Sequence, residues 1–158
     1  MRQIVLDTET TGVETRDGHR IIEIGAAEIV NRRMTGQVFH RYLNPDRAID
    51  EGAIAVHGIT NADLVNEARF PEIADELLAF IKDSELIIHN APFDVGFLEY
   101  ELLLMKHPQP YLNTHCKILD TLVMARDMHP GQRNSLDALC RRYQVDNSKR
   151  DFHGALLD

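Results

Sequence analysis

Cysteine is scarce in this chain. Of 158 residues only Cys116 and Cys140 carry thiols, and neither belongs to a CxxC or similar ligand pair, so a thiolate metal site or a disulfide framework is not expected. Reduced thiols fit a cytoplasmic protein. Long apolar runs are also missing; nothing approaches the roughly 20 consecutive apolar residues of a membrane span. Met1-Arg2-Gln3 leads straight into a strand-like segment, without the pattern of a secretory leader. Internal repeats, low-complexity stretches and interdomain linkers are lacking, which predicts one domain over residues 1–158. A hydrophobic content of 44% with 27% charged residues is enough for an ordinary globular core.

Positive charge is in short supply. There are 17 Lys and Arg against 25 Asp and Glu, a formal net charge of −8, which argues against tight binding to long duplex DNA by this chain alone. The imbalance is uneven. From Lys106 onward eight basic residues face six acidic ones, so the acidity is concentrated in residues 1–105.

The patterning predicts a mixed α/β protein. Gln3 to Thr8 reads as a buried central strand. Thr10 to His19 reads as a loop, and Ile21 to Val30 as a second strand in which Gly25 marks a bulge or a close approach. Asn31-Arg32-Arg33 turns the chain into a third strand, Gln37 to Leu43, completing an antiparallel meander. Ala53 to Asn66 predicts short helices broken at Gly58. Pro71 to Lys82 predicts an amphipathic helix with Ile73, Leu77, Leu78 and Ile81 on one face. A strand at Leu86 to His89 leads to a helix capped by Asn90 and running to about Met105. Cys116 to Leu119 predicts a fifth strand, followed by helices near Asp120 to Met128 and from Asn134-Ser135 to Tyr143. Asp146 to Asp151 is a polar, basic loop. The order β-β-β, helices, β, α, β, α implies a five-stranded mixed sheet flanked by helices.

Against this frame, acidic residues and one histidine fall in three clusters. Asp7 and Glu9 are two apart on a strand, so both carboxylates face one side. Asp94 falls in the first turn of a helix, where the dipole favours an ionised carboxylate. His153 and Asp158 are five residues apart; on one helix that is a rotation of about 140° and a rise of roughly 7.5 Å, so they converge only if His153 lies on a loop before the last helix. Four carboxylates and an imidazole are the equipment of a two-metal phosphodiester hydrolase.

These motifs, Asp7-Thr8-Glu9-Thr10-Thr11-Gly12, Asn90-x-x-Phe93-Asp94 and His153-x-x-x-x-Asp158, resemble those of the DEDDh 3′→5′ exonucleases, most nearly the proofreading subunits of bacterial DNA polymerase III. Arg133-Asn134-Ser135-Leu136-Asp137 also matches, and the likeness runs from Arg2 to Asp158. It implies the ribonuclease H-like fold and hydrolysis that releases nucleoside 5′-monophosphates from DNA 3′ ends. Two Mg²⁺ or Mn²⁺ ions are implied, with Asp7 bridging both, Glu9 and Asp158 each binding one, and Asp94 acting through water. His153 is then the general base, histidine being the side chain that exchanges a proton most readily near neutral pH.

Further out, Thr10, Thr11 and Gly12 are expected at the terminal nucleotide, His57 in the Val56-His57-Gly58-Ile59 segment at its base, and Phe93 under the site or stacked on a base. His89 is expected beside the site rather than in the chemistry. Arg141, Arg142, Lys149 and Arg150 could steer DNA but read mainly as solvated charges. The implied partners are a single-stranded or frayed DNA 3′ end, the catalytic subunit of DNA polymerase III, reached through a tail that this chain lacks, and a small accessory subunit. Since the last helix is barely begun at Asp158, a fragment with weakened metal affinity is expected. Two other readings remain: an exoribonuclease of the RNase T or oligoribonuclease type, which must recognise the 2′-hydroxyl, and a catalytically weak structural polymerase subunit.

Overall fold

The computed structural model describes residues 1–148 and 153–156. Five strands form one sheet in the order β3-β2-β1-β4-β5. Strands β1 (Arg2–Thr10), β2 (Ile21–Val30) and β3 (Arg33–Tyr42) are antiparallel neighbours, whereas β4 (Glu85–Ile88) and β5 (Lys117–Asp120) run parallel to β1. The expected mixed sheet is therefore present. Its β3 starts earlier than the apolar pattern suggested, because the hairpin rather than side-chain burial fixes it. Val30 pairs with Arg33 across Asn31 and Arg32, both at positive φ. Two left-handed residues make the hairpin turn whose twist matches its strands.

Alternation along β1 decides which face does what. Ile4 and Leu6 are fully buried and join a core made with Ile21, Ile24, Leu86 and Ile88. Helix α3 (Phe70–Ile81) covers this core with Phe70, Ile73, Leu77 and Ile81. It starts sharply, because the Arg69 amide donates to Glu72 at 2.6 Å and Pro71 occupies the first turn. Helix α4 (Ala91–Leu104) adds Phe97, Leu98 and Leu102. A smaller cluster of Ile22, Ile49 and Leu64 lies beneath α1 (Glu51–His57) and α2 (Asn61–Leu64).

The start of α4 differs from expectation. Asn90 is left-handed, at φ 63°, and its side chain makes no capping bond. Asp120, at the end of β5, supplies the cap instead: its carboxylate accepts from the Asn90 and Ala91 amides, each at 3.0 Å. The same carboxylate accepts from Leu122 N–H at 2.8 Å and so also starts α5 (Thr121–Met128). One acid therefore joins the ends of β4 and β5 to two helices. Helix α6 (Leu136–Arg142) begins where Asn134-Ser135 predicted, and Ser135 caps it, its Oγ accepting from Ala138 N–H at 3.1 Å.

Candidate active site

Asp7, Glu9, Asp94 and His153 line one cavity of about 850 Å³, together with Asn90 and Phe93. Strand alternation delivers the first two, since Asp7 and Glu9 leave β1 on the face opposite Leu6 and Thr8. Asp94 comes from the first turn of α4 and His153 from the segment after α6. Asp158 lies outside the described residues, as do Lys149 and Arg150.

Asp94 is only 3% exposed, and burial pushes its carboxyl up to about 6. Thr8 opposes that rise. The Thr8 hydroxyl donates to Asp94 Oδ1 at 2.6 Å, and the Thr8 amide donates to the same oxygen at 3.0 Å. The charge of Asp120 pushes the other way, with burial. A buried carboxyl held between protonation states is one that a nearby cation would ionise. That observation, with the hard oxygen donors of Asp7 and Glu9 lining the same cavity, fits divalent metal. Among the described residues, which exclude Asp158, no group of three or more Asp, Glu, His or Cys side chains is gathered closely enough to hold a metal ion.

The residues expected at the nucleotide fall in two places. Phe93 lines the cavity and packs on Phe97 at 5.0 Å between ring centres. Thr10, Thr11, Gly12 and His57 do not line it. Thr10 Oγ1 donates to the Gly12 carbonyl at 2.5 Å, and Thr11, fully buried, meets His19 Nδ1 at 2.9 Å. A Cβ at Gly12 would lie 2.3 Å from the His19 ring, so glycine there admits a histidine side chain rather than an open approach. His57 is internally bonded too. Its Nδ1 accepts from Ile59 N–H at 3.0 Å, which leaves the proton on Nε2 to donate to Thr10 O at 3.1 Å. Burial accordingly lowers its pKa. Gly12 and His57 thereby hold Thr10, the last residue of β1.

His89 lines the cavity with Nδ1 3.0 Å from Thr121 Oγ1. Thr8 and Asp120 were missed by reasoning from sequence. Asp120 had a signal, an acid between an apolar run and a helix.

The sheet order and the cavity at the ends of β1 and β4 define a nuclease-like α/β fold. Solved structures with the same arrangement are Escherichia coli exonuclease I in complex with a dA16 oligonucleotide (TM-score 0.83, 17% identity, covering 99% of this chain and 38% of that one) and exonuclease X in complex with 5′-overhanging duplex DNA (TM-score 0.72, 23% identity, 91% and 74%). The fold is thus the ribonuclease H-like exonuclease fold.

The sequence model of the family described as Exonuclease matches residues 4–158, and the chain belongs to that family. It is 58% identical over 161 aligned residues to DNA polymerase III subunit epsilon of Escherichia coli (strain K12), covering 99% of this chain and 66% of that protein. It is 54% identical to the subunit of the same name from Rickettsia felis, covering 100% and 69%. The chain therefore spans about two thirds of the length of the curated relatives it matches. No helix among the described residues is long and apolar enough to cross a membrane.

Proposed function

We propose that this chain is a metal-dependent 3′→5′ exodeoxyribonuclease that proofreads for a replicative DNA polymerase in the cytoplasm. The convergence of Asp7, Glu9, Asp94 and His153 on one cavity carries the reading. Asp7, Glu9, Asp94 and Asp158 would hold two divalent cations, Mg²⁺ or Mn²⁺, which supply Lewis acidity at the scissile phosphate. His153 takes the proton of the attacking water as the water oxygen bonds to phosphorus. The P–O3′ bond breaks, the departing 3′-oxygen ends as a hydroxyl with a proton from solvent, and a nucleoside 5′-monophosphate leaves. Phe93 offers a ring to a single-stranded terminal base.

The similarity to polymerase III subunits over nearly the whole chain favours DNA, the polymerase catalytic subunit and a small accessory subunit as partners. A polymerase partner also answers the acidity of the chain, since it brings the DNA to the site. The test is digestion of a 5′-labelled single-stranded DNA beside an RNA of the same sequence, in Mg²⁺ and in Mn²⁺ with a chelator control. A metal-dependent ladder shortening from the DNA 3′ end is expected. A ladder on RNA alone would replace this reading with an exoribonuclease.

A further inference from the structure

The segment that presents His153 has no helix or strand of its own among residues 153–156, so contacts to other elements must hold its backbone. Two hydrogen bonds from its amides do so. The His153 amide donates to the Val56 carbonyl of α1 at 2.8 Å. Two residues on, the Ala155 amide donates to Glu23 Oε1 at 3.0 Å. Glu23 projects from β2 and is only 3% exposed. Its other oxygen, Oε2, lies 2.6 Å from His40 Nε2 on β3, and the Tyr42 hydroxyl interacts with the same carboxylate. A buried carboxylate is costly unless its oxygens are satisfied; here one oxygen anchors the acid to the neighbouring strand and the other reaches the terminal segment.

Gly25 makes the approach possible. A Cβ at that position would stand 2.5 Å from the Ala155 carbonyl carbon and 2.6 Å from Leu156 N. Any side chain there would lift the segment off the sheet. Ala155 is itself 4% exposed against β2. The strand thus carries both a space for the segment and an acceptor to hold it.

We propose that Glu23, anchored by His40, is a positioning residue for His153: it docks the Ala155 amide and thereby sets the imidazole over the cavity. This rests on the reading of His153 as the general base. Misplacing a catalytic group by about 1 Å costs on the order of 100-fold in rate, so the effect should appear in turnover rather than in substrate binding.

The experiment is a double-mutant cycle on the metal-loaded chain. Glu23→Ala should lower kcat by about 10–100-fold while leaving KM nearly unchanged. In a His153→Ala background the same substitution should cost nothing further. Glu23→Gln, whose amide oxygen can still accept from Ala155, should keep most of the activity. Gly25→Ala should reproduce the kcat loss with Glu23 intact, which also serves if Glu23→Ala does not fold. Independent, multiplying effects of Glu23→Ala and His153→Ala would overturn the proposal, as would wild-type turnover in Gly25→Ala. Imidazole NMR separates this from the exonuclease reading. Should the wild-type chain digest no DNA, that reading fails, yet movement of the His153 ring signals in Glu23→Ala, with those of His115 unmoved, would still support the docking role, and unmoved His153 signals would refute it.

Discussion

The Thr8 hydroxyl donates to Asp94 Oδ1 across 2.6 Å, and the Thr8 amide reinforces it at 3.0 Å. Thr8 sits between Asp7 and Glu9 on β1, facing away from them along the strand. Two motifs 86 residues apart in sequence are thereby joined directly: the strand that carries two acids also holds the third. The join keeps Asp94 within reach of ionisation although burial favours its neutral form.

That balance predicts how metal-free stability depends on pH. Asp94 is raised from an ordinary value of 3.8 to about 6 in the fold. Between those values the folded state holds a proton that the unfolded chain has released. The stabilisation is complete below pH 3.8 and is lost as pH rises through about 6. A shift of this size corresponds to roughly 3 kcal/mol. Asp94→Asn keeps an oxygen for the Thr8 donors and removes the buried charge. Without metal, its melting temperature should exceed that of the wild type by about 5–10 °C at pH 8 and by little at pH 4. Thermal denaturation at both pH values checks this, and equal melting temperatures at pH 8 would show that the buried charge costs nothing. Nuclease activity should fall sharply in the same variant.

His153→Ala should separate chemistry from metal binding. Removing a general base costs about 10²–10⁴ in rate. Calorimetric Mn²⁺ affinity should stay within a few-fold of wild type, because the imidazole takes a proton and the carboxylates hold the ions. Equal rates for the two proteins from pH 6 to 9 would remove His153 from the mechanism.

Much of this arrangement could be read from the sequence because local rules produced it. Period-two alternation in β1 placed Asp7 and Glu9 on one face, and the apolar runs at Leu86 and Ile118 marked the parallel strands. What escaped was set by contacts distant in sequence. Asn90 looked like a helix cap by residue type, yet Asp120, thirty residues later, satisfies that helix start. Thr10, Thr11, Gly12 and His57 were expected at the nucleotide; residue type did not reveal that Thr10 Oγ1, Thr11 Oγ1 and the His57 ring bond to neighbours within the chain. The early start of β3 escaped because its first residues are exposed and no hydrophobic pattern marks them. Gly25 was expected to mark either a bulge or a close approach. The close approach is what occurs, while the register shifts fall at Glu9/Thr10 and Ala27/Ile29.

The central claim is that one cavity removes unpaired 3′-terminal nucleotides from DNA. The most direct measurement is release of a 3′-terminal labelled nucleotide from two primer–template duplexes, one matched and one mismatched at the primer end, in Mg²⁺, with Asp7→Ala as the comparison. The account predicts nucleoside 5′-monophosphate as the product, faster release from the frayed mismatch, and no release by the variant. Release that is unaffected by Asp7→Ala, or a nucleoside 3′-monophosphate product, would contradict it.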